Sequence, residues 1–523
     1  MGAANLFEHL FQSQRSASLA ILYEGRQITY EELRAATVQT AETLSALGIG
    51  AGDRVGILLN DSPEFITSFV ALISLGAIAV PINLALGKHD QTFILRDCGA
   101  RAAIIEAHAV PDLFPTTESW SELQDLLVVC RNQEPVPAAG AGVSAQAFHL
   151  ASRQSLGSRF PISSSGDLDA FILYTSGSTG EPKGAVHTQS DIFYTNETFC
   201  REVLSLRPDD RLFSSSRLPF AYGLGNSFTF PLLNGLATIL CREKPAPEVV
   251  GQVFREYRPT IFFGVPVVYR MLLEHHRNGN LLDTTSLRLC VSAGEALPAQ
   301  LGEEWQKTFG VEVLDGIGST EMLHMFMSNH AGEARYGSSG KLLAGYQARL
   351  IDHEGAGVAA GEVGNLWIRG DSAAGRYWQR PETTAETFVD GWVRTGDLYR
   401  RDADDFWWHM GRSDDCFKPT GQWVSPIEVE NVLLHSSCVR ACAVVEGRDQ
   451  DNLSCVCAVV LPASDKSDPA MNEQELRALC ERELPRFKRP RRYVFVSELP
   501  YTATGKLQRF KLREQLRGNS LSP

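Results

Sequence analysis

The sequence predicts an α/β fold in two parts, a large N-terminal layered domain over 1–412 and a small mobile α+β domain over 413–523. Length is the first reason: 523 residues exceed what one ordinary hydrophobic core organises. The second is a steady alternation of short apolar runs with helical patterns as far as about residue 350, which marks largely parallel sheets covered by helices. The third is a change of pattern at GRSDD, 411–415, beyond which a compact set of helices and strands follows. A large body with a small cap implies a site in the cleft between them.

The elements follow in order. Thr29 and Glu32 form a capping box that opens a helix, and Gly48 closes it. Leu33, Ala36, Leu44 and Leu47 fall roughly on one face of that helix. Buried strands are expected at 55–59 and 102–105. Between them, FITSFVALISLGAIAVPINLAL (65–86) has the length of a membrane span, but Gly76, Pro81 and Asn83 interrupt it. No flanking charge pattern supports insertion. The segment therefore reads as a buried helix ending near Gly76 and a buried strand over 77–80. Residues 132–166 are rich in Ala, Ser, Gly and Pro and read as a surface connection. Strands recur at 171–174, 260–263 and 287–291. In the small domain, Ser425 and Glu428 form a second capping box with Pro426 at the first helical position. Strands at 441–445 and 454–460, a helix over 473–483 and a strand at 493–496 complete it.

Hydrophobic residues at 44% and charged residues at 21% describe an ordinary soluble protein. A formal net charge of −13 argues against broad nucleic-acid binding. One basic cluster, RFKRPRR at 486–492, is either a solvated patch or a seat for a phosphate-bearing ligand. Eleven cysteines, an odd count without a CxxC pair, indicate reduced thiols with no disulfide framework and no zinc site. MGAANLFEHL has neither a basic region nor an apolar signal core, and Leu6 stands where myristoylation wants Ser or Thr. A cytoplasmic protein is the expectation.

Five stretches bear chemistry. YTSGSTGEPKG (174–184) sets hydroxyls, glycines and a lysine after a buried strand, where backbone N–H groups can face an anion. It is not the loop of kinases and ATPases, because Lys183 lies three residues past Gly180, follows Pro182 and precedes Gly184 rather than a hydroxyl residue. SAGEAL (292–297) ends a strand in small residues; it either admits a flat ring or is an ordinary turn. In DGIGSTEMLH (315–324), Thr320 could bond a phosphate and Glu321 could hold Mg²⁺, or the segment is a solvated turn. VRTGDL (393–398) places Asp397 in a turn, as a ribose acceptor or merely a turn cap. YTATGKLQR (501–509) carries Lys506 in a small polar loop, where a plain surface lysine is the simple alternative.

Together, in this order and with GRSDDCFKPTGQWVSPIEVE (411–430), these stretches resemble the adenylate-forming superfamily. That group holds acyl- and aryl-CoA synthetases, firefly-type luciferases and nonribosomal-peptide adenylation domains. The resemblance runs from ITYEEL (28–33) to Arg509, and FAYGLGN (220–226) and GVPVVYRML (264–272) look most like the benzoate-type aryl-CoA ligases. It implies an acid–thiol ligase that activates benzoate or a relative such as anthranilate with ATP. The acyl group then passes to coenzyme A, releasing AMP and pyrophosphate. A freestanding adenylation enzyme that loads a carrier protein is the alternative.

The resemblance also implies roles. Thr175, Ser176, Gly177, Ser178, Thr179 and Gly180, with Lys183, would hold the outer phosphates of ATP. Gly294, Glu295 and the turn Asp315, Gly316, Ile317 would frame the adenine, and Asp397 and Arg412 the ribose. Thr320 and Glu321 would face the α-phosphate and Mg²⁺, and Lys506 would bridge the acyl carboxylate to that phosphate. Ala221, Tyr222, Gly223 and His324 would surround the aromatic ring. Asp414 would be the hinge; Lys418 and the turn of Gly421 and Trp423 would face the coenzyme A tunnel in the second half-reaction. Two departures stand beside this: Ile317 occupies the usual place of an aromatic, and 340–345 lacks both prolines of the superfamily's Gly-x-Pro-x-Pro-Gly stretch.

Overall fold

The computed structural model describes residues 5–12, 15–115, 119–131, 134–140, 142–148, 166–176, 181–352, 354–419, 424–449, 453–464, 468–501 and 507–517. Among these, two large sheets build the N-terminal body. The first has nine strands in the order Lys341–Leu342, Met325–Ser328, Val313–Gly318, Leu289–Ser292, Ile261–Gly264, Arg211–Ser214, Ala237–Ile239, Leu19–Tyr23 and Arg26–Thr29. The second has eight, in the order Arg376–Tyr377, Pro182–Thr188, Asp169–Ser176, Ile78–Pro81, Arg54–Leu58, Ala102–Glu106, Asp125–Val129 and Ser144–Ala147. Their central pairs are parallel. Ile261, Phe262 and Phe263 are wholly buried, as expected of strands covered on both faces.

The expected helix after Thr29 runs Tyr30–Ala46, and both capping-box bonds form. The segment of membrane length is instead a buried helix, Pro63–Ser74, capped by Ser62, and the strand Ile78–Pro81. Phe65, Phe69 and Val70 join Ile21 of the first sheet and Phe171 of the second in one core. No helix of the described residues is long and apolar enough to cross a membrane.

Two local readings need correction, and one sheet was not read. Only half of the second capping box forms: Ser425 Oγ accepts from Glu428 N, while Lys488 Nζ donates to the Glu428 carboxylate at 2.5 and 2.6 Å. A cation from another element outcompetes a backbone N–H for a carboxylate. The supposed connection over 132–166 contains a strand, Ser144–Ala147, which pairs in parallel with Asp125–Val129 at the sheet edge. Its residues are half-buried at most, so no apolar alternation marks it. A third sheet is antiparallel and five-stranded, with Gln347–Ile351, Val363–Arg369, Trp392–Arg401, Phe388–Val389 and Trp407–Arg412. Arg349 lies over Trp367 at 4.4 Å and Trp392 at 4.3 Å there, so arginine and tryptophan take the place of an aliphatic face.

The small C-terminal unit is a three-stranded sheet of Val439–Arg448, Ser454–Pro462 and Arg492–Phe495. Val429, Leu433, Leu476 and Cys480 of the helices Pro426–Leu433 and Pro469–Glu483 share a core with Val444, Val456 and Val460. Leu512 and Leu516 of the helix Arg509–Arg517 share another with Ala443, Cys457 and Val459. This unit meets the body through Arg440 Nη2 and Glu274 Oε2 at 3.0 Å, and through Leu507 N, which donates to Glu295 Oε1 at 3.0 Å.

Candidate active site

The strands Ile261–Gly264, Leu289–Ser292 and Val313–Gly318 run parallel and end side by side. Sites of open α/β sheets lie beyond such carboxyl ends. Tyr222 lies across them: its hydroxyl donates to Val291 O at 3.1 Å. Its ring stacks on His324, with centroids 5.6 Å apart and planes 29° apart. Phe199 and Phe230 flank the same imidazole at 4.7 and 4.6 Å. Ala221 and His324, with Thr195, Leu224, Gly225 and Thr229, line a small recess.

Within this wall His324 is buried, and neither ring nitrogen has a partner among the described residues. Burial pushes its pKa down to about 3. The imidazole is therefore neutral, with one donor and one acceptor to offer. The glycines divide their work. A Cβ at Gly223 would lie 2.0 Å from Arg217 O, so Gly223 serves backbone packing rather than the ring surface. A Cβ at Gly225 would lie 2.6 Å from His324 Cδ2, so Gly225 is what admits the imidazole. Sequence reasoning chose the first glycine of FAYGLGN and missed the second.

One turn away the backbone carbonyls and one Glu321 oxygen are engaged. Thr320 O accepts from His187 Nε2 at 2.8 Å, and His187 Nδ1 lies 2.7 Å from Asp191 Oδ2. A carbonyl only accepts, so Nε2 carries a proton. Glu321 Oε1 accepts from the Tyr377 hydroxyl at 2.6 Å, and Glu321 O from Ala374 N at 2.7 Å. Ser372 Oγ donates to Met322 O at 2.9 Å. Leu323 then takes φ +62°, ψ −35°, a costly conformation for a non-glycine residue, and this bend delivers His324 to the cavity. His187, Asp191, Ser372 and Tyr377 were not singled out in the sequence. His187, Ser372 and Tyr377 act across fold contacts that no local spacing encodes, and the capping box of Thr188 with Asp191, which places Asp191, was not read.

Asp169–Ser176 and Pro182–Thr188 form an antiparallel pair in which Thr175 faces Lys183. The glycine-rich segment thus joins two strands of a hairpin, whereas the loop of kinases joins a strand to a helix. Gly177, Ser178, Thr179 and Gly180 lie outside the described residues, as does the side chain of Ser176. Lys183 Nζ sits 5.8 Å from the centre of the Tyr377 ring.

Gly294, at φ +93°, and Glu295 follow the strand Leu289–Ser292 as expected. Asp315, Gly316 and Ile317 are in the strand Val313–Gly318 and not in a turn. Asp315 is buried and its Oδ2 accepts from Leu297 N at 3.1 Å, so its side chain fixes the 292–297 bend. Desolvation raises its pKa to about 8. Asp397 is likewise a strand residue, opposite Arg412 in the ladder, with Oδ1 3.6 Å from Arg412 Nη1. Arg412 Nε donates to Asp414 Oδ1 at 3.4 Å, so the expected ribose pair and hinge residue adjoin. Asp414 and Lys418 are exposed. Gly421, Trp423 and Lys506 lie outside the described residues. In the basic cluster, Lys488 pairs with Glu428, Arg491 with Asp449, and Arg489 donates to two carbonyls, so much of its charge is already used by the fold.

Comparison with known proteins assigns the class. The model of the AMP-binding enzyme family matches residues 8–378, and that of the AMP-binding enzyme C-terminal domain matches 428–506. The chain belongs to the AMP-binding enzyme family. It is 40% identical over 504 residues to a benzoate–CoA ligase of Thauera aromatica, covering 95% of this chain and 93% of that one. It is 35% identical over 517 residues to an anthranilate–CoA ligase of Pseudomonas aeruginosa, covering 98% and 96%. The crystal structure of the anthranilate CoA ligase AuaEII in complex with anthranoyl-AMP superposes with a TM-score of 0.88 at 34% identity, covering 99% of this chain and 98% of that one.

Proposed function

We propose that this protein is an AMP-forming aryl-CoA ligase for benzoate or a small substituted benzoate such as 2-aminobenzoate. The observation that carries the reading is the set of aromatic walls around the neutral imidazole of His324, beside Ala221 and one turn from Glu321. Such walls with one imidazole suit an aromatic ring that bears a polar group. The relatives above are ligases of acids of that size by name.

A carboxylate resists thiol attack because oxide is a poor leaving group; joined to AMP, the same carbon acquires a good one. Bringing that carboxylate to a triphosphate sets two anions together. Lys506 would neutralise the repulsion in this step alone, and Lys183 with the hydroxyls from Thr175 to Thr179 would hold the departing pyrophosphate in line. Asp397 and Arg412 would hold the ribose, and Gly294 and Glu295 the adenine edge. Glu321 and the Thr320 hydroxyl fit an Mg²⁺ site, since that ion takes one or two carboxylates and completes its shell with phosphate oxygens and water; when bound, it would supply charge stabilisation at the phosphates. In the second half-reaction the small domain would turn about Asp414, remove Lys506, and bring Lys418, Gly421 and Trp423 to the path of the pantetheine thiol.

Pyrophosphate release from a panel of aromatic acids, with free coenzyme A or a phosphopantetheinylated carrier protein as acceptor, tests the reading. Thioester on coenzyme A with benzoate-sized acids is expected. Thioester on the carrier alone would replace the acceptor, and no adenylate from any aryl acid would end the proposal. Single-turnover assays should show Lys506→Ala slowing adenylate formation by about 10²-fold. It should leave thioester formation from supplied adenylate near normal, with Gly421→Leu doing the reverse.

A further inference from the structure

We infer that Tyr377 is a positioning residue for the nucleotide's divalent cation: its phenol holds the Glu321 carboxylate apart from Lys183, so that each charge stays free for its own ligand. The inference rests on the nucleotide-binding part of the functional reading above.

The geometry is that of a spacer. Tyr377 OH donates to Glu321 Oε1 at 2.6 Å, a charge-assisted bond, while Lys183 Nζ stands over the ring of the same residue at 5.8 Å. No ion pair joins Lys183 to Glu321 among the described residues. An ion pair between these opposite charges would cancel both. A cation would then lose its carboxylate, and the phosphates their lysine.

The phenol itself is fixed from several directions. Tyr377 belongs to the short strand Arg376–Tyr377 and pairs with Ala185, two residues past Lys183. Trp378 N donates to Gly184 O at 2.7 Å, and Tyr377 N to Thr384 Oγ1 at 3.1 Å. The ring is buried and meets Phe388 edge-on at 5.3 Å. With one oxygen committed to Tyr377, Glu321 has the other to present. Among the described residues no group of three or more His, Cys, Asp or Glu could cage a metal. A cation here therefore relies on the aim of a single carboxylate.

Mn²⁺ binding to the enzyme with α,β-methylene-ATP, followed by electron paramagnetic resonance without any acid, reads this directly. Tyr377→Phe should weaken Mn²⁺ binding about tenfold, the scale of one hydrogen bond to a charged group. Glu321→Gln should weaken it further, and Tyr377→Phe added to Glu321→Gln should change nothing more, because the phenol acts through that carboxylate. The far-ultraviolet circular dichroism of Tyr377→Phe should match that of the unaltered protein and reports that the fold is intact. Unchanged Mn²⁺ affinity in Tyr377→Phe, a further loss in the double variant, or a loss accompanied by an altered circular dichroism spectrum would each overturn the inference. If the unaltered protein makes no aryl thioester, the functional reading fails, yet the Mn²⁺ titration still decides the role of Tyr377.

Discussion

Two regions a single turn apart treat their polar groups in opposite ways. Around His324, the rings of Phe199, Tyr222 and Phe230 enclose an imidazole whose two nitrogens find no partner among the described residues. At Thr320 and Glu321, His187, Tyr377, Ala374 and Ser372 take up backbone and side chain alike. Unmet hydrogen bonds in a buried site cost free energy until a ligand meets them, so the cavity is built to recognise. Groups over-determined by their neighbours do not reorganise during a reaction, so the rim is built to hold charge still. The strained Leu323 joins the two.

Substitutions should separate these regions by kinetic signature. The largest effect is expected at the rim: Glu321→Ala should lower the rate of adenylate formation by about 10²- to 10³-fold, with little change in the KM for the acid. Pyrophosphate-exchange kinetics measure it, and a change confined to the KM for the acid would erase the distinction. In the cavity the signature should invert. Ala221→Phe fills the recess, and overpacking of about 1–3 kcal/mol should raise the KM for benzoate-sized acids roughly tenfold or more. Unchanged kinetics for benzoate and its 2-amino relative would remove Ala221 from the pocket. Gly225→Ala pushes its methyl against the His324 ring and should act in the same direction, with a fall of several degrees in melting temperature beside it.

The buried groups also make stability depend on pH on both sides of neutrality. His324 has a folded pKa of about 3 against an ordinary 6.5, so the contribution of its neutral form is complete above pH 6.5 and is lost as pH falls toward 3. Asp315 has a folded pKa of about 8 against 3.8, so its contribution is complete below 3.8 and is lost as pH rises through 8. Denaturant midpoints measured from pH 3 to 9 should lose their acid-side fall in His324→Gln and their decline between about pH 4 and 8 in Asp315→Asn. The smallest effect should come from Ser372→Ala, which removes two hydrogen bonds, to Met322 O and to the Tyr346 hydroxyl, each worth about 1 kcal/mol, and lowers the denaturant midpoint modestly.

The order of motifs, the apolar runs and the change of pattern after residue 411 were enough to determine the parallel body and the reaction class. Those features are local, written in spacing and periodicity, and the helix Tyr30–Ala46 with its complete capping box illustrates how well such signals hold. Tertiary structure decided what depended on competition between distant groups. Glu428 left its capping box for Lys488, and Asp315 and Asp397 became strand residues whose side chains brace neighbouring segments. The antiparallel sheet over 347–412 buries Leu366, Ile368 and Val393 on one face, while arginine–tryptophan stacking covers the other, so only half of its pattern reads as an ordinary strand. Gly225, His187 and Tyr377 carry no motif of their own; each matters through an atom brought within 3 Å by a separate part of the chain. Periodicity encodes which face of an element is buried, but only the packed fold sets which side chain meets which.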